Sequence, residues 1–176
     1  AFGENQNAYP SVWNIRHQSL SYAPIPSAIT LSRNLLSLIV KPGRSSGDRG
    51  LVTVFPSKIG IRLNNRTVTG KRKPYGVTAM FGNDGQTINL NGRVPLEGKQ
   101  EVAVLPLKDP LEYIGHVLNE RLSREGIRLN GNIRIRLNPD ARDSDLLGQH
   151  ILGSNISPPL HKLLRTMMLR SNNFIS

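Results

Sequence analysis

The chain closes on LRTMMLRSNNFIS, residues 164–176, and the side chains there that could do chemistry are Ser171 and Asn173. A serine two residues ahead of an asparagine, at the end of an apolar helix, can form a catalytic element. The same tripeptide also ends ordinary helices, so the rest of the sequence has to decide.

Other chemistry-bearing residues are sparse. His17, His116, His150 and His161 stand at spacings that suit no common zinc motif, and each reads as a surface or capping histidine. Cysteine is absent, which removes a disulfide framework, a thiol nucleophile and cysteine-bound zinc. No Walker-type glycine loop occurs, and no cofactor or metal is expected. Gly70-Lys71-Arg72-Lys73 is a basic cluster between two strands. It reads as a solvated hairpin tip before a nucleic-acid contact, because no aromatic residues interleave with it. Ile133-Arg134-Ile135-Arg136 alternates, and an exposed sheet face accounts for both arginines.

The elements that must position these residues follow from periodicity. Residues 1–27 are rich in Asn, Ser and Pro and read as extended loop, with Tyr9, Trp13 and Tyr22 anchoring it by ring burial. Leu35 to Val40 reads as a buried strand closed by Lys41-Pro42-Gly43. Residues 44–50, RSSGDRG, have the composition of a linker. Between 51 and 105 short strands alternate with turns: LVTVF, IGIRL, RTVTG, GVTAM, QTINLNG and EVAVL. Asn64-Asn65, Asn83-Asp84-Gly85 and Asn91-Gly92 read as the turns, since Asn and Gly tolerate positive φ.

The period then changes. Asp109 is an N-cap, Pro110 takes the first helical position and Glu112 falls three residues after the cap. Leu111, Ile114, Val117, Leu118 and Leu122 form an apolar stripe, and Gly126 ends the helix. Residues 127–129 and 132–137 read as strand, and 138–156 as a polar connection. A last helix is predicted with Ser157 as cap, Pro158-Pro159 in its first turn, and Leu160, Leu163, Leu164, Met167 and Met168 as its core-facing stripe.

The segment SPPLHKLLRTMMLRSNNFIS resembles the helix that carries the Ser-x-Asn motif in the class C low-molecular-mass penicillin-binding proteins, the serine D-alanyl-D-alanine carboxypeptidases and endopeptidases. Two further segments resemble the same family in the same order. Residues 23–43, APIPSAITLSRNLLSLIVKPG, are similar to its small-residue segment, Arg-Asn turn and strand ending in Pro-Gly. Residues 110–131, PLEYIGHVLNERLSREGIRLNG, are similar to its helix followed by Gly-Ile-x-x-x-Gly.

The resemblance implies a site built from three elements: a Ser-x-x-Lys with the nucleophile, the Ser-x-Asn, and a Lys-Thr-Gly strand. It assigns Ser171 a role in proton transfer and Asn173 the amide that holds the substrate peptide. Neither other element is in these 176 residues: Ser37 to Lys41 is one residue too long, and Thr69-Gly70-Lys71 has the wrong order. The expectation is therefore an internal piece of the enzyme, inactive by itself. Its expected fold class is α+β: small, mostly antiparallel β domains with one packing helix, then a helix of a penicillin-binding/β-lactamase-like catalytic domain. Residues 1–44 and 105–140 would form an inserted accessory domain. Residues 45–104 would form a small all-β domain nested in it, and 157–176 the start of the returning catalytic domain.

The implied partners are the rest of the catalytic domain, and peptidoglycan stem peptides and β-lactams in the complete enzyme. The implied location is the periplasm or cell envelope; no secretory signal is read in the chain itself. The charge of +11, from 23 Lys+Arg against 12 Asp+Glu, favours acidic partners and suits an anionic wall polymer. Two alternatives keep that charge in view: a non-catalytic murein-binding module, and a basic nucleic-acid-binding β protein, the latter not expected from the family resemblance. No stretch reaches the ~20 apolar residues of a membrane span.

Overall fold

The computed structural model describes residues 20–27, 29–133 and 156–170. Six strands lie between residues 35 and 106. They are β1 (Leu35–Lys41), β2 (Leu51–Phe55), β3 (Arg62–Gly70), β4 (Gly76–Phe81), β5 (Thr87–Pro95) and β6 (Glu101–Pro106). Among the described residues two helices follow, α1 (Pro110–Arg124) and α2 (Leu160–Arg170). The strands form two three-stranded sheets, β2-β1-β6 and β3-β5-β4. The first is antiparallel throughout; in the second β3 runs parallel to β5 and β4 antiparallel to it. Small sheets with few helices make the α+β fold expected from the sequence.

Alternation explains how the sheets meet. Leu36, Leu38 and Val40 of β1, with Ala103 and Leu105 of β6, face inward and are buried. Ile88, Leu90 and Val94 of β5 meet them, and Leu107, Tyr113 and Val117 extend the same cluster. Burial of each large aliphatic side chain here stabilises by roughly 1.5–3 kcal/mol.

Asn34 closes the entry to β1. Ser32, Arg33 and Asn34 all take positive φ, at 50°, 58° and 56°. Such a run is costly for residues with a Cβ, and Asn tolerates it best. Its buried amide donates to the Ile25 carbonyl at 2.7 Å and to Ser27 Oγ at 2.8 Å, and its own carbonyl accepts from Leu107 N. The Arg-Asn turn thus ties the segment before β1 to the strand and to the chain leaving β6.

Several local expectations differ from the structure. Asn64-Asn65 is not a turn but the middle of β3. Asn64 donates its amide to Asn89 Oδ1 across the sheet at 2.9 Å, and Asn65 Nδ2 bonds the Gly50 carbonyl at 2.8 Å. Side-chain partners supplied by neighbouring segments overrode a local turn preference. Asn91-Gly92 likewise lies inside β5. Residues 44–50 are not a free linker. Gly47 N donates to the Thr69 carbonyl, Thr69 N to the Asp48 carbonyl, and Gly43 N and Gly50 N to the buried hydroxyls of Thr69 and Thr67. The ladder of β1 with β2 and the shared core join the segments on either side of residue 45. Residues 127–129 are not strand. In α1 the buried face is Pro110, Tyr113 and Val117, while Leu118 is exposed, because the helix meets the sheets along its 113–117 edge. The Tyr22 ring, expected to be buried, is exposed, and the expectations for Tyr9, Trp13 and residues 134–155 lie outside the described residues.

Candidate functional site

Helix α2 leads into the Ser171–Asn173 element, which itself lies outside the described residues. The helix begins at Leu160, and the Pro159 carbonyl accepts from Lys162 N and Leu163 N. The start is thus set by a proline carbonyl, two residues beyond the predicted Ser157 cap. Leu160, Leu164 and Met168 fall on one side at helical spacing and are 69%, 43% and 76% exposed. A stripe patterned for a core therefore stands in solvent. Among the described residues the β unit does not cover it.

The described histidines converge on nothing. His161 is exposed, and His116 faces Glu112 one helical turn away at 3.7 Å. Among the described residues no three His, Asp or Glu side chains form a group that could hold a metal ion.

A cleft of about 250 Å³ opens where the N-terminus of α1 meets the β4–β5 turn, lined by Asp84, Lys108, Asp109, Glu112 and His116 among others. Most of its charged groups are engaged in holding the fold. The Asp84 carboxylate accepts from Thr87 Oγ1 and N, from Gln86 N and from the Arg62 guanidinium, and these bonds, Thr87 foremost, hold it well below the usual carboxylate range. Asp109 caps α1 by accepting from Glu112 N at 3.0 Å, as the sequence predicts. Lys108 donates to the Gly82 carbonyl and lies 5.8 Å from the centre of the Phe81 ring. That leaves the exposed Glu112–His116 pair, which lacks a nucleophile beside it.

A second polar constellation escaped sequence reading. Ser57, in the β2–β3 loop, donates its hydroxyl to Glu120 at 2.5 Å, and its backbone N–H and carbonyl both bond the Tyr113 hydroxyl. A serine beside a carboxylate invites a catalytic reading. Here the hydroxyl also accepts from Ile59 N, and the residue is buried, so the group acts as a clasp between loop and helix. Glu120 is tied in turn to Arg124 at 2.5 Å. The only advance signal is Tyr113 and Glu120 lying two turns apart on one helix; their partner is 56 residues upstream in sequence.

A sequence profile of the D-Ala-D-Ala carboxypeptidase 3 (S13) family matches residues 5–176. Among solved structures the chain is similar to the crystal structure of penicillin binding protein 4 from Haemophilus influenzae, with a TM-score of 0.65 at 17% identity. That match covers 93% of this chain and 35% of the other. A second structure of that protein, complexed with a novel beta-lactam, matches with a TM-score of 0.60 at 18% identity, over 85% of this chain and 33% of the other. The likeness extends to the fold, and the chain spans about a third of the length of the solved proteins it matches.

Proposed function

The chain belongs to the D-Ala-D-Ala carboxypeptidase 3 (S13) family, and from that premise we propose that its residues supply the accessory part and the Ser-x-Asn helix of a serine-type carboxypeptidase or endopeptidase acting on peptidoglycan peptides. The observation that carries this reading is the reach of the family match, which runs through the β unit and on through Ser171 and Asn173. In the assembled enzyme Ser171 moves a proton, and Asn173 holds the substrate's peptide through its amide. The nucleophile and its lysine come from a Ser-x-x-Lys that these 176 residues do not contain, and the carboxylate-binding strand from a Lys-Thr-Gly that they also lack. The 176 residues alone are therefore inactive as a peptidase.

Residues 1–44 and 105–140 belong to the inserted domain. Residues 45–104 are nested in it in sequence and share its core, and 157–176 begin the returning catalytic domain. The exposed Leu160, Leu164 and Met168 support this last assignment, since each would contribute roughly 1.5–3 kcal/mol on burial against the remainder of that domain. Peptidoglycan stem peptides and β-lactams are ligands of the assembled site, in the periplasm or cell envelope. The beta-lactam complex of the Haemophilus protein is in keeping with this. No helix among the described residues is long and apolar enough to cross a membrane.

The test is intact mass after incubation with a labelled penicillin. The 19.5 kDa chain should take no adduct. A parent protein that contains all three elements should take one, and lose it when the Ser-x-x-Lys serine is replaced. An adduct on the 19.5 kDa chain would overturn the assignment of roles.

A further inference from the structure

Nearly half of the chain's net positive charge lies on one sheet and its turns. Residues 62–95 carry Arg62, Arg66, Lys71, Arg72, Lys73 and Arg93 against one acid, Asp84, which leaves +5 of the chain's +11. The register shows how these side chains are arrayed. Arg62 lies opposite Thr87, Asn64 opposite Asn89, Arg66 opposite Asn91 and Val68 opposite Arg93. On the other side of β5, Met80 lies opposite Asn89, Thr78 opposite Asn91 and Gly76 opposite Arg93. Of their neighbours in the strands, Thr67, Ile88, Leu90 and Val94 are buried, and Leu63, Val77, Ala79 and Phe81 pack half-buried against the core. Alternation therefore puts the arginines and amides together on the outer face.

That face is built and open. At one end Asp84 holds Arg62 at 2.7 Å. At the other, Arg93 Nη1 donates to the Arg72 carbonyl at 3.1 Å and fixes the Lys71–Lys73 turn over the sheet. Arg66, Lys71 and Lys73 are exposed, and their side chains make no hydrogen bond or ion pair with the described residues. A solvated basic face needs only scattered charge. Here guanidinium groups alternate with asparagine and threonine side chains, on strands ~4.8 Å apart, so donors for carboxylates sit beside donors and acceptors for hydroxyls and amides. No aromatic side chain stands among these outward residues to stack a nucleic-acid base.

We propose that the outer face of the β3-β5-β4 sheet is a docking surface for peptidoglycan, gripping the glycan–peptide polymer outside the catalytic centre through the carboxylates of its peptides and the amides and hydroxyls of its sugars. The proposal rests on the wall-directed function above. It adds a second contact with the polymer, made by the accessory part, which would hold the chain on the wall while the peptide is processed elsewhere.

The experiment is co-sedimentation of the 176-residue chain with insoluble purified peptidoglycan at about 50 mM and about 300 mM NaCl, with a DNA duplex as the rival ligand. The variant Arg66→Glu/Arg93→Glu should weaken sedimentation by about tenfold or more, in keeping with the loss of two charge-assisted contacts. The charge-matched control Arg121→Glu/Arg128→Glu, on and just after α1, should change it by less than about threefold. Thermal midpoints establish that both remain folded, and the milder Arg66→Gln/Lys73→Gln replaces the first variant where they do not. Equal loss in both pairs, no loss in either, or tighter binding of the duplex than of peptidoglycan would each overturn the proposal. The penicillin adduct on the parent protein is read separately. An adduct there with unchanged sedimentation of the variant sinks this surface alone, whereas loss of sedimentation without an adduct sinks the catalytic assignment alone.

Discussion

The hydroxyl of Tyr113 on α1 is bonded twice to Ser57, donating to its carbonyl at 2.6 Å and accepting its N–H at 3.0 Å. Ser57 reaches Glu120 two turns further along the same helix. A loop and a helix 56 residues apart are thereby clasped. Removing the phenol oxygen leaves two buried backbone groups unpartnered, so Tyr113→Phe should cost about 1–3 kcal/mol in urea unfolding.

The same phenol sets an alkaline limit. Burial, with the nearby Glu120 charge, pushes its pKa from 10.0 up to about 12, against the opposing pull of the Ser57 bond. The unfolded chain therefore loses this proton first. The stability it carries is complete below pH 10 and is lost as pH rises from 10 to about 12. The urea midpoint of the natural chain should fall through that window, and that of Tyr113→Phe should fall less steeply.

Asn34→Ala should destabilise by on the order of 2–4 kcal/mol, since it strips the bonds to Ile25 and Ser27 and leaves a Cβ at φ 56°. Asn34→Gly separates the two causes. It keeps the left-handed conformation without strain but restores no hydrogen bond, so it should recover only part of the loss.

Gly92 sits at φ 127°, and a Cβ there would meet the Gly76 carbonyl oxygen at 2.2 Å and Val77 Cα at 2.8 Å. The two strands would have to part. Gly92→Ala should cost on the order of 3 kcal/mol. Gly76→Ala is the comparison: Gly76 also has positive φ but open space around its Cβ position, so it reads the strain without the clash.

Leu164→Ser and Met168→Ser should leave the unfolding free energy of the 176-residue chain within about 0.5 kcal/mol of the natural one, because both side chains are exposed. In a longer protein that contains all three elements the same changes should lower the thermal midpoint. Equal insensitivity in both settings would mean that the stripe has no partner.

Much of this protein can be read along the chain. Asp109, Pro110 and Glu112 fix the start of α1, because capping is local chemistry over four residues. The apolar runs of β1, β2, β4 and β6 are strands as read, and the family resemblance carried by 23–43, 110–131 and 157–176 agrees with the profile match. What failed were the asparagine pairs. Asn64-Asn65 and Asn91-Gly92 have the composition of turns, yet both lie in strands: the side chains of Asn64 and Asn65 find partners on distant segments, and Asn91-Gly92 is paired on both sides by β3 and β4.

The sequence by itself determined the family, the cap of α1 and the alternation that makes one face of each strand apolar, since each is written in residues a few positions apart. Only the tertiary structure decided that 44–50 is stitched to β3 and that Ser57 is held by Tyr113 and Glu120. It also decided that three arginines of residues 62–95 share one outer face. These relationships depend on which segments lie side by side, and hydrogen bonds across 16 to 63 residues leave no local period to read.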